Sequence, residues 1–255
     1  MRFEHHSQRG RYELKYLIDE PCARRVRDFV RSYLKRDRYA RPHMRHAYPI
    51  YSLYLDDPGM AMYRASFQGQ MNRMKLRIRY YDANGSAGGS PLFCEIKRRV
   101  NDVVLKQRAV IRREALERVL CGCHPRVEDL WDADDTASQD VFREFCNLRN
   151  AMHAEPKMIV YYEREAWVGP DDDNLRVTFD REAGAAHYDR TLAPGKFRPA
   201  RIESVVLELK FDDRFPNWMR DLAQSCDLYR TKMGKYVQCV EQIPRGERRP
   251  YCVNA

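Results

Sequence analysis

No stretch of this 255-residue chain approaches the roughly 20 consecutive apolar residues that cross a bilayer as a helix. The opening Met1-Arg-Phe-Glu-His-His lacks the apolar core of a secretion signal. A cytoplasmic location is therefore expected, and any membrane attachment calls for a separate membrane protein partner. No repeat at a solenoid period is present, nor any long low-complexity linker. The eight cysteines follow no framework spacing. Cys121-Gly-Cys123 has one intervening residue where a zinc pair wants two or more, so reduced thiols are expected. Cys252-Val-Asn-Ala does not make a prenylation box, because Asn254 is not aliphatic. Negative charge is also short: 37 Asp and Glu face 46 Lys and Arg, giving +9 and a pI near 9.2. That balance asks for an anionic partner, which charge alone leaves open among nucleic acid, phosphate compounds and a membrane surface.

What is present is a series of short alternating segments. Strands are expected at Arg11–Asp19, Ile50–Leu55, Arg73–Tyr81, Pro91–Arg98, Asp102–Arg112, Met158–Val168, Leu175–Asp180 and Ser204–Phe211. Turns are expected at Asp82–Ser90 and from Gly169 to Asn174. Helices are expected at Pro21–Lys35, with proline in the first turn, and at Met60–Phe67, Glu114–Leu120, Ser138–Met152, Asn217–Cys226 and Lys235–Glu241. The tail from Pro244 is polar and expected to be mobile. Strands in hairpins with helices between and after them make an α+β fold on an antiparallel sheet. Eight such strands suffice to close a β-barrel with a narrow interior and flanking helices.

Three strands repeat one unit: Glu13-Leu-Lys15, Glu95-Ile-Lys97 and Glu208-Leu-Lys210. Side chains alternate faces along a strand, so each Glu shares a face with its Lys while the aliphatic residue turns away. Arg77 and Arg79, Lys106 and Arg108, Arg164 and Arg176 extend the same pattern. For a single strand this is the ordinary signature of a half-exposed sheet. The recurrence on three distant strands and the excess of cations argue otherwise, because like charges facing one another across strands repel. A bound polyphosphate or triphosphate would remove the repulsion. Arg suits phosphate bidentately and Lys as a point charge. The glutamates would suit Mn2+ or Mg2+ sharing its ligands with phosphate. Nucleic acid is the weakest partner class, since the bases alternate inside strands instead of forming exposed arms.

These residues look like a known family. The pieces Arg11-Tyr-Glu-Leu-Lys-Tyr16, Ser52-Leu-Tyr-Leu-Asp56, Lys75-Leu-Arg-Ile-Arg-Tyr80, Phe93-Cys-Glu-Ile-Lys97, Tyr162-Glu-Arg164, Leu175-Arg-Val-Thr-Phe-Asp180, Val206-Leu-Glu-Leu-Lys210 and Lys232-Met-Gly-Lys235 occur in the order and spacing of one domain. The chain resembles the VTC domain, the polyphosphate polymerase domain of the triphosphate tunnel metalloenzyme (CYTH-like) superfamily. The resemblance implies an eight-stranded antiparallel tunnel over residues 9–243, followed by the tail 244–255. It implies transfer of the γ-phosphate of ATP to polyphosphate, with hydrolysis of tripolyphosphate or nucleoside triphosphates, or non-catalytic polyphosphate binding, as alternatives. By position, Lys15, Arg77, Arg79, Lys97, Lys106, Arg164, Arg176, Lys232 and Lys235 would grip phosphate, the last two at the tunnel end. Arg77, Arg79, Lys97, Arg164 and Lys210 would serve the transfer itself. Glu208 would hold the metal, with Glu95 or Glu13. Many superfamily members open with Glu-x-Glu-x-Lys. Arg11 stands at the first of those glutamates here, which weakens the case for a second metal and suits the polymerase branch.

Overall fold

A computed structural model describes residues 10–82, 89–170, 175–193, 196–200, 204–232 and 234–242. The expected turn at Asp82–Ser90 and the loop after Gly169 lie largely outside these residues, as does the tail 244–255. Ten strands form one antiparallel sheet: β1 (Arg11–Ile18), β2 (Lys35–Arg36), β3 (Ala47–Asp56), β4 (Arg73–Tyr80), β5 (Leu92–Val100), β6 (Val103–Ile111), β7 (Glu155–Val168), β8 (Arg176–His187), β9 (Arg198–Pro199) and β10 (Val205–Phe211). Around the sheet they run β7-β3-β4-β5-β6-β1-β10-β8, and pairing of β7 with β8 closes the ring. The expected eight-stranded barrel is thus present, and the two-residue strands β2 and β9 are appended to β7 and β8.

Among the described residues, six α-helices flank the barrel. α1 (Glu20–Val30) starts where the Asp19 carboxylate accepts from the Cys22 amide at 2.7 Å, with Pro21 in the first turn. Its Val26 and Val30 pack with Met219 and Leu222 of α5 (Asn217–Ser225) on Leu207 and Leu209 of β10. On another outer face α3 (Leu116–Cys121) and α4 (Thr136–Ala151) bring Leu120, Phe142 and Phe145 to Leu76, Ile78 and Ile96. The aliphatic residues between the charged ones therefore face helices, as the alternation requires. α2 (Ala61–Phe67) and α6 (Lys235–Gln242) sit at one end of the barrel, where Tyr236 stacks on Tyr54 with ring centroids 4.3 Å apart. No helix among the described residues is long and apolar enough to cross a membrane.

Three boundaries differ from the sequence reading. The helix from Pro21 stops at Val30 instead of Lys35, because Lys35 and Arg36 pair with Val168 and Trp167 as β2. β3 starts at Ala47. Pro49 is tolerated there because pairing with β4 begins only at Tyr51, leaving one edge of β3 open. β8 continues past Asp180 to His187 through a register shift opposite Tyr161–Glu163, with Glu182 at φ 50°. That bulge breaks the period of two on which the strand was recognised.

Candidate active site in the barrel interior

The alternating charged faces meet inside the barrel, around a cavity of about 150 Å³. Among the described residues, fourteen Lys and Arg side chains line it against two carboxylates, Glu13 and Glu208. Cross-strand register stacks the charges in rows. Lys75 of β4 lies opposite Lys97 of β5, which lies opposite Lys106 of β6. In the next row Arg77, Glu95 and Arg108 follow one another across the same strands. On the other wall Lys15 faces Glu208 and Glu13 faces Lys210, across β1 and β10.

Three carboxylate nodes organise the cations. Glu95, with no exposed surface, accepts from Arg77 Nε at 2.7 Å and Arg108 Nε at 2.8 Å, and has Lys106 Nζ at 2.8 Å. Burial opposes its ionisation, yet Lys106, Arg77, Arg79 and Arg108 hold the carboxyl well below the usual range. Glu208 has Lys210 at 2.7 Å, Lys235 at 3.3 Å, Arg164 at 3.4 Å and Lys15 at 3.7 Å. Burial is again overridden, chiefly by Lys210 and Lys235. Glu13 takes Lys97 at 2.7 Å and Arg11 at 3.1 Å. Asp180 joins the Glu208 node through Arg164 at 2.6 Å and Lys235 at 2.5 Å.

These four acids leave cations over. Burial and the neighbouring Lys15 and Lys97 push the Lys75 ammonium well below its ordinary pKa, and no carboxylate partners it among the described residues. Burial lowers Lys97 to about 8, with Glu13 opposing and Lys15 and Arg77 adding to the shift. Lys106 and Lys210 are lowered too, each mainly by burial. Arg79 donates from Nη2 to the Tyr162 hydroxyl at 3.2 Å, but its buried Nε has no hydrogen-bond partner and lies 3.9 Å from Glu95. Directly opposite Arg79 in register, the buried Ser52 hydroxyl is also without a partner. Unsatisfied buried donors are costly. A lining with donors and positive charge in surplus is built for an anion.

Of the sequence-derived candidates, Lys15, Arg77, Arg79, Lys97, Lys106, Arg164, Lys210, Lys232, Lys235, Glu13 and Glu208 all line this cavity. Lys232 is exposed, whereas Lys235 is buried and reaches inward to Asp180 and Glu208. Glu95 sits behind the wall, covered by its cations. Arg176 is not brought to the cavity, since its guanidinium is bound to Asp37 and Tyr48. Sequence reasoning passed over Lys75, although it shares the parity of Arg77. It passed over Asp180, taken as the last residue of a strand, although it lies two beyond Thr178 on the inner face. Nothing in the local pattern marks Tyr236, which enters from α6. Among the described residues no three His, Cys, Asp or Glu gather as a ready metal cage. Glu13, Glu208 and Asp180 are acidic groups on the lumen side, each engaged by Lys or Arg.

The VTC domain profile matches residues 10–243. Among curated proteins, none matches this sequence. Similar solved structures include the PH1819 protein of Pyrococcus horikoshii OT3, 11% identical, with a TM-score of 0.46, covering 91% of this chain and 99% of that one. A putative adenylate cyclase from Vibrio parahaemolyticus is 11% identical with a TM-score of 0.45, covering 91% and 98%. The putative adenylyl cyclase HpAC1 from Hippeastrum, described as having a dominant triphosphatase activity, is 11% identical with a TM-score of 0.43, covering 89% and 91%.

Proposed function

This chain belongs to the VTC domain family, and we propose from that premise that it is a phosphotransferase moving the γ-phosphate of ATP to a polyphosphate chain inside the barrel. The observation that carries the reading is the imbalance of the lining, fourteen cations against two carboxylates in a closed barrel. In the transfer, a terminal oxygen of polyphosphate bonds to the γ-phosphorus, and the bond from that phosphorus to the β,γ-bridging oxygen breaks. ADP leaves and no water is consumed. Charge spreads over the equatorial oxygens of the moving group, and stabilising it is most of the catalytic task. Arg77, Arg79 and Arg164 supply bidentate donors for this, and Lys15, Lys97, Lys106 and Lys210 supply point charges.

A divalent ion, Mn2+ or Mg2+, fits this lining in a limited way. Such an ion takes one or two carboxylates and completes its shell with phosphate oxygens and water. Glu208 meets that requirement, with Glu13 beside it in the lining. Glu95 does not, because it has no access to the lumen. When bound, the ion would neutralise phosphate charge while the lysines now on Glu208 turn to the chain of phosphates. Hydrolysis is the second reading. Arg11, paired to Glu13, stands where a further glutamate would serve a second ion, and this favours transfer. Incubation with ATP and Mn2+ or Mg2+ should yield long polyphosphate on a stained gel, together with ADP. Orthophosphate without polymer would establish a hydrolase instead. Tripolyphosphate-induced stabilisation with no turnover would leave a binding module.

A further inference from the structure

The net charge of +9 is not spread evenly. Residues 24–46 carry nine Lys and Arg against two acids, Asp28 and Asp37, a balance of +7. Eight of the nine cations are exposed, and the ninth, Arg27, turns to Glu165 at 2.8 Å. Asp37 is buried against Arg176 and the Tyr48 hydroxyl, which leaves Asp28, beside Arg31 at 3.1 Å, as the only exposed acid of the segment. The segment follows α1, passes through β2 and enters β3. Through Asp37 it is fastened to the first residues of β3 and β8, whereas α6 meets β3 near its other end, at Tyr54. From β2 onward the basic segment therefore lies as a collar at the end of the barrel away from α6, and α1 carries its first cations along the outer face of β10.

We propose that this collar is a second anion site, which holds long inorganic polyphosphate on the outside of the barrel. The assignment rests on the reading of the interior as a polyphosphate tunnel, and it adds a surface that a triphosphate is too short to use together with the lumen. Charge complementarity asks for a polyanion, since seven exposed cations besides Lys35 stand with one exposed acid in this segment. The aromatic residues decide which kind. Arg36 lies over Trp167 at 5.3 Å, Arg38 over Tyr39 at 5.0 Å, and Tyr33 is stacked on Trp218 at 4.8 Å. Tyr33 and Tyr39 keep exposed surface, but each already has a ring or guanidinium neighbour, which leaves less of the ring for the stacked nucleobases that single-stranded nucleic acid needs. A guanidinium over a ring is held in place, Arg36 also by the His46 ring nitrogen at 3.1 Å, and a positioned guanidinium suits phosphate. Lys35 is left out of the site, because its ammonium contacts the Pro170 carbonyl at 2.5 Å, next in sequence to Asp171–Asp173.

The test compares two ligands and two variants in the full chain. Polyphosphate of about one hundred units and tripolyphosphate are titrated against the parent, the collar variant R38Q/R41Q/R45Q and the lumen variant R79A. Thermal unfolding without ligand checks each fold. The collar variant should lose about tenfold or more in affinity for the long polymer, with a flatter salt dependence, and keep its affinity for tripolyphosphate. R79A should weaken tripolyphosphate. Unchanged long-polymer affinity in the folded collar variant, and in R24Q/R25Q beside it, overturns the collar. Single-stranded RNA or anionic phosphatidylserine vesicles binding as tightly as polyphosphate, with the same losses, would overturn polyphosphate as the occupant. Should tripolyphosphate fail to bind the parent while the long polymer binds through the collar, the tunnel reading falls and the collar stands.

Discussion

Glu95 and Glu208 occupy equivalent places in the same Glu-x-Lys unit, and each is surrounded by four cations. They differ in access. Glu95 has no exposed surface and does not reach the cavity, whereas Glu208 lines it. Around Glu95 the partners come from the two strands that flank its own, β4 and β6, and close over the carboxylate. Around Glu208 they come from β1, β7, β10 and α6, and the lumen stays open above it. The same motif thus serves as a structural rivet on one wall and as an exchangeable anion on the other. A phosphate entering the cavity would compete directly for the cations of Glu208, whereas Arg77 and Lys106, which also line the cavity, would have to meet it while still holding Glu95.

The largest effect should come from Glu95→Gln. Removing one member of a buried charged cluster leaves the others uncompensated and costs about 3–5 kcal/mol. Denaturant unfolding reads this directly, and a loss below about 1 kcal/mol, the scale of an exposed pair, would erase the distinction between the two nodes. Arg77 belongs to the rivet as well as to the lining, so Arg79 is the cleaner probe of function. Arg79→Ala should cost about 2–4 kcal/mol of transition-state stabilisation with a Tm close to that of the parent. Normal kcat/KM in this variant would detach the cationic lining from turnover.

Glu208→Gln should lose less stability than Glu95→Gln, because its cations face the lumen, and lose turnover on the order of 10²-fold, while polyphosphate affinity measured without metal persists. An unaltered Mn2+ titration of activity would show that Glu208 is an ion-pair partner only. The smallest effect concerns pH. Burial sets Lys97 near 8 in the folded chain, below the roughly 10.4 of a free lysine. Below pH 8 the ammonium is charged in both states and its burial is a full penalty. Between those two values the unfolded chain binds more protons, so this contribution to stability rises with pH. A bound polyphosphate restores the charge. Calorimetry at pH 8–9 in buffers of different ionisation enthalpy should therefore show proton uptake on binding, and affinity should fall as pH rises above 8. Proton release would reverse the assignment.

Much of this interior was legible because a strand has a period of two. Glu13 with Lys15, Arg77 with Arg79 and Glu208 with Lys210 each declare a shared face, and the aliphatic residues between them declare the other. What failed to show was anything set by partners remote in sequence. The closure of Glu95 depends on Arg77 and Arg108 arriving from neighbouring strands. The inward reach of Lys235 depends on where α6 docks, and Arg176 is withdrawn by Asp37, a residue 139 positions away. Asp180 keeps the parity of Thr178, but its role depends on Arg164 and Lys235 arriving from β7 and α6. The basic run at 24–46 was visible as composition, but its shortened helix and the two-residue strand within it were not, because β2 exists only through its pairing with β7.

The placement of β1 has a kinetic consequence. Only Arg11 and Tyr12 of this strand pair with β6, whereas seven of its residues, Tyr12 to Ile18, pair with β10, nearly two hundred residues later. The meander β4-β5-β6 can assemble from neighbouring segments, but the seam joining Tyr12 to Phe211 must wait for the far part of the chain. Loop closure of that length makes the seam the slow event in folding. Until it forms, Glu13 and Lys15 lack their counterparts Lys210 and Glu208, and the nascent cylinder is an open basic trough. A polyanion laid in that trough would act as a mandrel around which the last strands wrap, so refolding in tripolyphosphate should be faster than in a neutral osmolyte.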